Sequence, residues 1–233
     1  GDHPDLHSFP TRRSSDLTAS IVVLLCICQS VNSVRGAEVL KISGSTTVFP
    51  IGQKCAEAYM NEHDVDIQIS SPGSSAGITA LINGEVHIAM SSRHLKSSEL
   101  ASKPTLIDNH IADDALAVVV HPTNIITQLS IPQVKSIYNG TFTNWNQVGG
   151  PNLAIVLYGR DTTSGTYEAF YELVMGKTAF SASVNELNSN GAVHDAVMGA
   201  PGGVGYVGLG YLDSGIKAIN IQNATSEIGR AHV

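Results

Sequence analysis

The sequence predicts a two-lobed α/β protein in which each lobe is a mostly parallel sheet flanked by helices. Short apolar runs of strand length alternate with segments of helical periodicity through most of the 233-residue chain. The turns that join them are short and rich in glycine. This alternation favours strand–helix–strand units, which pair their strands in parallel.

The first lobe is expected over residues 38–120. Its pattern is strand–helix–strand–helix–strand, followed by a fourth apolar strand. The predicted strands are Val39–Ser43, Val65–Ser70, Val86–Met90 and Leu116–Val120, and the predicted helices are Val48–His63 and Ala76–Gly84. Pro50 is compatible with this interpretation because proline is tolerated in the first turn of a helix.

The second lobe is expected over residues 121–212, because His121-Pro122 interrupts the apolar pattern. Helices and strands alternate again in this part. The predicted helices are Ile131–Gly140, Tyr167–Gly176 and Asn190–Gly199, and the predicted strands are Ala154–Gly159 and Gly203–Leu209.

Both ends of the chain look foreign to the protein. The stretches HSFPTRRSSDL and EIGRAHV resemble translated sequencing adapters, so residues 1–17 and 227–233 are excluded from the fold prediction. Residues 18–37, TASIVVLLCICQSVNSVRGA, indicate the remaining part of a signal peptide. Its apolar run is shorter than the roughly 20 residues that span a bilayer. A periplasmic or extracytoplasmic location is therefore expected, with a lipid anchor at Cys26 or Cys28 as an alternative.

Composition excludes several classes of function. The formal net charge is −7 with histidine neutral, which argues against nucleic acid as a partner. Cys55 is the only cysteine between residues 38 and 225, so neither a disulfide nor a cysteine metal cluster is expected there. The histidines between residues 38 and 225 are scattered without the i, i+4 spacing of helical zinc sites. No metal and no cofactor is predicted.

Four turns at strand ends share small hydroxyl residues, with glycine or arginine beside them. They are Gly44–Thr47, Pro72–Ser75, Ser91–Arg93 and Arg160–Thr166. Turns at the carboxyl ends of parallel strands converge on one crevice. Backbone N–H groups at helix starts, hydroxyl donors and an arginine can together replace the water around a buried oxyanion. The sequence therefore predicts an oxyanion site, with Arg160 and Arg93 as candidate sources of positive charge.

Six segments carry a family resemblance: ISGSTTVFPI, SSPGSSAGI, IAMSSR, IYNGTFTNWNQVGGPN, GRDTTSGT and GGVGYVGLGYL. Together they resemble the substrate-binding proteins of phosphate ABC transporters, which are two-lobed receptors of the type II periplasmic binding fold. The resemblance covers Val39–Leu212. It implies capture of inorganic phosphate between the lobes and delivery to the permease subunits of a transporter, and a monomer is expected.

The same resemblance implies a longer protein. Family members continue well past Thr225 with a segment that returns to the first lobe, and residues 213–226 are expected to be the start of that return. The chain is therefore expected to be truncated at its C-terminal end and to expose an apolar patch where that segment would dock.

Carried over residue by residue, the resemblance implies a set of ligands for the ion. The first turn would supply the hydroxyl of Thr47 and the N–H of Val48 or Phe49, with Ser45 and Thr46 as alternates. The second turn would supply Ser74 or Ser75. The fourth turn would supply Arg160 as the charged partner, with Ser164, Gly165 and Thr166 as hydroxyl and N–H donors. Many family members place an aspartate after the third strand, where it accepts the proton of hydrogen phosphate. This chain has Ser92 there, followed by Arg93. Ser92 or Asp161 could accept that proton, and the choice between them stays open.

Serine catalysis is the main alternative, with Ser164 as the nucleophile and His94 or His194 as the base. No G-x-S-x-G elbow accompanies this serine, so no catalytic residue is predicted. Two further alternatives remain. One is a receptor for another tetrahedral oxyanion, sulfate or arsenate, and the other is a phosphate-binding regulator or adhesin of the same fold that serves no transporter.

Overall fold

The computed structural model describes residues 38–222. The two adapter-like tails, the signal segment at 18–37 and residues 223–226 lie outside the described residues. None of the helices between residues 38 and 222 combines the length and the apolar character needed to cross a bilayer.

Three strands and their helices form the small sheet of the molecule. The elements are β1 (Glu38–Gly44), α1 (Phe49–Glu62), β2 (Val65–Ser70), α2 (Ser74–Asn83) and β3 (Ile88–Met90), followed by α3 (Ser97–Ser102). The strand order is β2-β1-β3, and β1 runs parallel to β3. Side chains along β2 alternate between half-buried and exposed, as expected of a strand with one covered face. The strand–helix–strand order predicted for this part is confirmed.

The large sheet has five strands in the order β7-β6-β8-β4-β9. Its part of the chain contains β4 (Leu116–Val120), β5 (Gln128–Ser130), α4 (Ile131–Tyr138), β6 (Val156–Arg160), α5 (Gly165–Leu173), β7 (Asn185–Leu187), α6 (Asn190–Met198), β8 (Gly203–Gly208), β9 (Lys217–Ala218) and β10 (Asn220–Gln222), with 3₁₀ turns at Trp145–Val148 and Leu209–Tyr211. β6 runs parallel to β7 and β8, whereas β4 runs antiparallel to β8 and β9. β5 and β10 form a separate parallel pair. The predicted α/β class, with mostly parallel sheets flanked by helices, is confirmed.

β4 has a different partner from the one expected. The sequence pattern predicts this strand in the first lobe, but it pairs with β8 along its full length and joins the large sheet. An apolar run predicts that a strand is buried on both faces, and it does not indicate which sheet supplies the neighbours. The chain therefore passes from the small sheet to the large one before Leu116, rather than at His121.

The hydrophobic core lies on both faces of the large sheet. Along β4, Val118 and Val120 belong to one cluster and Ala117 and Val119 to the other, because successive side chains of a strand point to opposite faces. Trp145 is fully buried in the first cluster, and its indole N–H donates to a backbone carbonyl at 3.0 Å. Helix α6 packs on the second cluster.

The small sheet has much less core. Among its described residues, the buried hydrophobic side chains are Ala56, Ile78 and Met90. Large apolar side chains of this part remain exposed, namely Val39, Ile51, Tyr59, Met60, Ile88 and Leu100. Since hydrophobic stabilisation scales with the apolar area removed from water, the small sheet gains less from burial than the large one.

Candidate oxyanion site

Arg160 ends β6 with its side chain only 1% exposed. Its Nη1 donates to Thr46 Oγ1 at 2.9 Å, and its Nε and Nη2 donate to the carbonyl oxygens of Leu187 and Asn188 at 3.1 Å each. These bonds use three of the five N–H groups of the guanidinium. Between residues 38 and 222, no carboxylate forms an ion pair with Arg160.

A buried guanidinium without an ion-pair partner is unfavourable unless another negative group balances its charge. Burial lowers the pKa of Arg160, while the nearby Asp161 and two tyrosines act in the opposite direction. The side chain stays protonated in proteins because the guanidinium is so strong a base. An anion at its two remaining N–H groups would balance the charge.

The turn after β1 is shaped by Gly44 and Ser45. Gly44 has a φ of +145°, and a Cβ there would overlap a backbone carbonyl oxygen of β3, so only glycine fits. Ser45 Oγ accepts the N–H groups of Thr47 and Val48 at 3.1 and 3.3 Å. The N–H of Phe49 donates to the Ser45 carbonyl oxygen at 3.0 Å. The backbone donors of Val48 and Phe49, which the resemblance assigns to the ion, are therefore bonded within the turn itself.

The hydroxyls of Thr46 and Thr47 reach from this turn to the large sheet. Thr47 Oγ1 lies 3.0 Å from Oγ1 of Thr166, near the start of α5. Asn190, the first residue of α6, donates through Nδ2 to Thr46 Oγ1 at 3.1 Å and to Thr47 Oγ1 at 2.8 Å. The hydroxyl of Tyr211 donates to the Thr46 carbonyl oxygen at 2.6 Å. The structure thus brings together the first turn and the turn before α5.

The second and third turns meet the same helix start. Ser74 Oγ lies 3.2 Å from Ser92 Oγ, and the N–H of Ser92 donates to Ser74 Oγ at 3.2 Å. A Cβ at Gly165 would lie 2.5 Å from Ser92 Oγ and 2.6 Å from Ser74 Oγ, so this approach requires glycine. The N–H of Ser75 donates to the carbonyl oxygen of Thr163 at 3.0 Å. All four turns singled out in the sequence therefore lie together.

Arg93, the second candidate source of positive charge, is paired with carboxylates. Its Nη2 donates to Glu99 Oε1 at 2.6 Å and to Ser75 Oγ at 3.0 Å, and its Nε lies 2.8 Å from Glu168 Oε2. Burial acts to lower the pKa of Arg93, but the hydrogen bond and charge of Glu99 raise it on balance. The same hydrogen bond lowers the pKa of Glu99. Arg93 therefore ties the turn after β3 to α5 on the large sheet.

Ser164 is the N-cap of α5. Its Oγ accepts the N–H of Tyr167 at 3.2 Å. His94 lies 3.3 Å from Asp108, and both ring nitrogens of His194 contact aspartate oxygens at 2.9 Å. Among the described residues, neither histidine is hydrogen bonded to Ser164. The serine–histidine pair that nucleophilic catalysis would need is not formed.

The two residues left open as proton acceptors are both engaged elsewhere. Asp161 Oδ1 accepts the N–H of Thr163 at 2.8 Å and also contacts the hydroxyl of that residue. Ser92 is bonded to Ser74. Nothing in these contacts selects one of them.

A cavity of about 280 Å³ opens beside the turns and is lined in part by Thr47, Ser92 and Thr166. The segment 108–114 forms another part of its wall. The segment has three carboxylates. Asp108 lies 3.3 Å from a ring nitrogen of His94, and Asp113 lies 3.0 Å from a ring nitrogen of His110. The third is Asp114, whose carboxylate forms no ion pair in the part of the chain that the structure describes.

Asn190 and Asp114 are absent from the ligands predicted from sequence. Asn190 follows β7 in the stretch LNSNG, which is another polar strand-to-helix turn. That similarity to the four selected turns is a signal that could have found it. Asp114 lies two residues before the apolar strand β4 and carries no comparable signal. Across residues 38–222, no three His, Cys, Asp or Glu side chains lie close enough to hold a metal ion.

Comparison with known proteins places this geometry in a family. A family model described as a PBP superfamily domain matches residues 30–228. The phosphate-binding protein PstS of Borreliella burgdorferi is 34% identical over 200 residues, covering 81% of this chain and 70% of that protein. The PstS protein of Bacillus subtilis is 30% identical over 190 residues, covering 81% of this chain and 63% of that protein. The chain thus spans 63% to 70% of the length of these two relatives.

Two solved structures are similar as well. One, from Clostridium perfringens, is assigned as a phosphate ABC transporter substrate-binding protein with bound phosphate. It has a TM-score of 0.75 and 35% identity, covering 79% of this chain and 76% of that one. An ABC-type phosphate transport receptor from Vibrio cholerae has a TM-score of 0.63 and 36% identity, covering 81% of this chain and 78% of that one. This chain therefore belongs to the PBP superfamily and, within it, to the family of phosphate-binding proteins named PstS.

Proposed function

We propose that this protein binds inorganic phosphate between its two sheets and delivers it to the permease subunits of an ABC transporter. The observation that carries the proposal is the buried guanidinium of Arg160, which donates to the hydroxyl of Thr46 and forms no ion pair with any carboxylate of residues 38–222. Hydrogen bonds from fixed neutral donors can replace the hydration shell of a small anion. The names and the bound phosphate of the relatives support phosphate as that anion.

The arrangement of the donors suits a tetrahedral ion held from several sides. Thr47 belongs to the small sheet, whereas Arg160 and Thr166 belong to the large one, and Ser92 and Gly165 meet between them. An ion that accepts hydrogen bonds from both sheets stabilises the closed arrangement of the lobes. Binding would then shift the protein toward the form that a permease recognises. We also propose that the protein is a monomer that acts outside the cytoplasm, either free or anchored to the membrane.

We infer that the protein binds phosphate for transport and does not catalyse a reaction. Ser164 caps a helix, and the two histidines considered as its base contact aspartates. Hydrolysis of a nitrophenyl phosphate that is abolished by Ser164→Ala would contradict this inference.

The test is isothermal titration of the 233-residue protein with phosphate, sulfate and arsenate. We expect phosphate to bind and Arg160→Gln to weaken it roughly ten- to hundredfold, since a hydrogen bond to a charged group contributes about 1.5–3 kcal/mol. Lys177→Gln is the matched control, because Lys177 pairs with Glu172 on the exposed surface. Unchanged phosphate affinity in Arg160→Gln would overturn the proposed site, and stronger binding of sulfate would favour the alternative receptor. Thr166→Val provides a second test if Arg160→Gln fails to fold.

A further inference from the structure

Asn190 is a fully buried polar side chain that joins the large sheet to the first turn of the small one. It is 0% exposed, and its three hydrogen bonds go to Thr46, Thr47 and Gly208. It is not needed to cap α6, because Ser189 Oγ already accepts the N–H of the third helical residue at 3.0 Å. Its burial therefore calls for a role besides helix capping.

The orientation of the Asn190 amide is fixed by its neighbours. The backbone N–H of Gly208 can only donate, and it lies 3.4 Å from Asn190 Oδ1. The amide oxygen must therefore face Gly208. The NH₂ group faces the two threonine hydroxyls, to which it donates at 3.1 and 2.8 Å.

This orientation determines what the threonine hydroxyls can do. A hydroxyl has one hydrogen to donate and two lone pairs to accept with. Thr46 Oγ1 accepts from both Arg160 and Asn190, so its lone pairs are used and its hydrogen remains for an acceptor. Between residues 38 and 222, no protein group accepts that hydrogen.

The same argument applies to Thr47, which lines the cavity. Its Oγ1 accepts from Asn190 at 2.8 Å and lies 3.0 Å from the hydroxyl of Thr166. The two threonines have two hydroxyl hydrogens, and at most one can lie between their oxygens. The other is available to an acceptor in the cavity that both residues line.

We propose that Asn190 is a positioning residue: by occupying a lone pair of Thr47 Oγ1, it orients the Thr47–Thr166 hydroxyl pair so that one of its hydrogens is donated toward the bound oxyanion. The inference rests on the proposed function of phosphate binding. Asn190 does not need to touch the ion, because it acts through the lone pair that it occupies. It also links α6 to the first turn only while the two sheets are together, so it favours the closed arrangement in which the ion is held.

The experiment is a double-mutant cycle on the phosphate affinity of the full chain, with Asn190→Ala, Thr47→Val and the double variant. We expect Asn190→Ala to weaken phosphate roughly tenfold in the wild-type background, in line with the loss of a buried hydrogen bond. In the Thr47→Val background the same change should cost less than roughly twofold, because the hydroxyl it orients is gone. Asn146→Asp, on an exposed 3₁₀ turn, is the control for surface changes and should bind like the wild type.

A parallel cycle uses Asn190→Asp, which keeps the size of the side chain and the acceptor for Gly208 but cannot donate when ionised. If Asn190→Ala does not fold, the Asn190→Asp cycle tests the coupling to Thr47 in its place. A purely structural role predicts that the losses from Asn190 and Thr47 multiply, and that result would overturn the inference while leaving the proposed function intact. A wild-type protein that binds neither phosphate, sulfate nor arsenate would overturn both.

Discussion

At Gly165, the start of a helix lies directly against two serine hydroxyls from the small sheet. Alanine would normally be preferred to glycine in a helix, by up to about 1 kcal/mol. At this position its Cβ would lie 2.5 Å from Ser92 Oγ and 2.6 Å from Ser74 Oγ. The requirement for glycine thus arises from the approach of the two sheets and not from the local backbone.

We predict that Gly165→Ala weakens phosphate binding without unfolding the large sheet. Overpacking costs about 1–3 kcal/mol, which corresponds to roughly a five- to hundredfold loss of affinity if the strain falls on closure. Titration calorimetry gives the affinity, and thermal melting monitors the fold. Gly191→Ala is the control on α6, because its Cβ would meet no atom closer than 3.9 Å. Equal effects of the two substitutions would contradict the explanation.

Asp114 is placed to influence which oxyanion is bound. A Cβ added at Gly208 would lie 2.8 Å from both Asp114 Oδ2 and Thr47 Cγ2, so the carboxylate is close to the first turn. Phosphate carries a proton near neutral pH that a carboxylate can accept, whereas sulfate carries none and is repelled. We predict that Asp114→Asn narrows the preference for phosphate over sulfate, roughly tenfold for one charged hydrogen bond.

The measurement is competition of sulfate against phosphate in titrations of the two proteins. Asp113→Asn is the matched control, since Asp113 already lies 3.0 Å from His110. If Asp113→Asn changes the preference as much as Asp114→Asn, then Asp114 has no specific role.

Elements could be predicted from sequence where their signal is local. The span of β2 (Val65–Ser70) agrees with its prediction because alternation along a single strand sets its covered face. The sheet of β4 could not be predicted, because its partner β8 lies far along the chain. The ion pair of Arg93 with Glu168 could not be predicted for the same reason, because Glu168 belongs to a helix of the other sheet. Local chemistry identified the oxyanion turns, but their long-range partners became known only from the structure.

Glu168 on α5 connects the two sheets by ion pairs. Its carboxylate lies 2.8 Å from Arg93 Nε and 2.8 Å from Lys96 Nζ, both in the segment after β3. We predict that Glu168→Gln speeds phosphate release and weakens affinity about three- to tenfold, since partly exposed pairs contribute about 1 kcal/mol each at most. Stopped-flow measurement of dissociation checks this. Glu172→Gln, on the same helix but paired with Lys177, should release phosphate at the wild-type rate.

His194 on α6 makes stability depend on pH. It contacts Asp213 and Asp195 at 2.9 Å each, and the hydrogen bond to Asp213 is the main cause that raises the pKa of His194. A raised pKa in the folded state stabilises the fold fully below the unfolded value of about 6.5, and this contribution is lost as pH rises through the folded value. The same bond lowers the pKa of Asp213, so it also weakens as pH falls through that lowered value.

We predict that the melting temperature falls as pH rises above about 6.5, and that Asp213→Asn reduces this slope. Thermal unfolding at several pH values measures it. Asp66→Asn, an exposed substitution on β2, should keep the wild-type slope. An unchanged slope in Asp213→Asn would show that other groups cause the dependence.

Across the whole molecule, the two sheets differ in how much core supports them. Both core clusters belong to the large sheet, whereas the small sheet buries little apolar surface. Regions with few buried apolar contacts open at lower free energy than the rest of a protein. The contacts of Thr47, Ser75 and Arg93 with the large sheet are therefore an important part of what holds the small sheet in place.

We predict that amide hydrogens of β1 and β3 exchange faster than those of β6 and β8, and that phosphate slows exchange mainly in the small sheet. A ligand held by both sheets stabilises the closed form by about 2.7 kcal/mol at a hundred times its dissociation constant. The large sheet gains less protection from phosphate because its own core already keeps its amide hydrogens from exchanging.

Hydrogen exchange with mass spectrometry, with and without phosphate, measures both effects. Arg160→Gln should reduce the protection by phosphate at the same phosphate concentration while leaving the difference between the sheets, since that difference depends on the core and not on the ion. Protection confined to the large sheet would mean that the ion does not bridge the two.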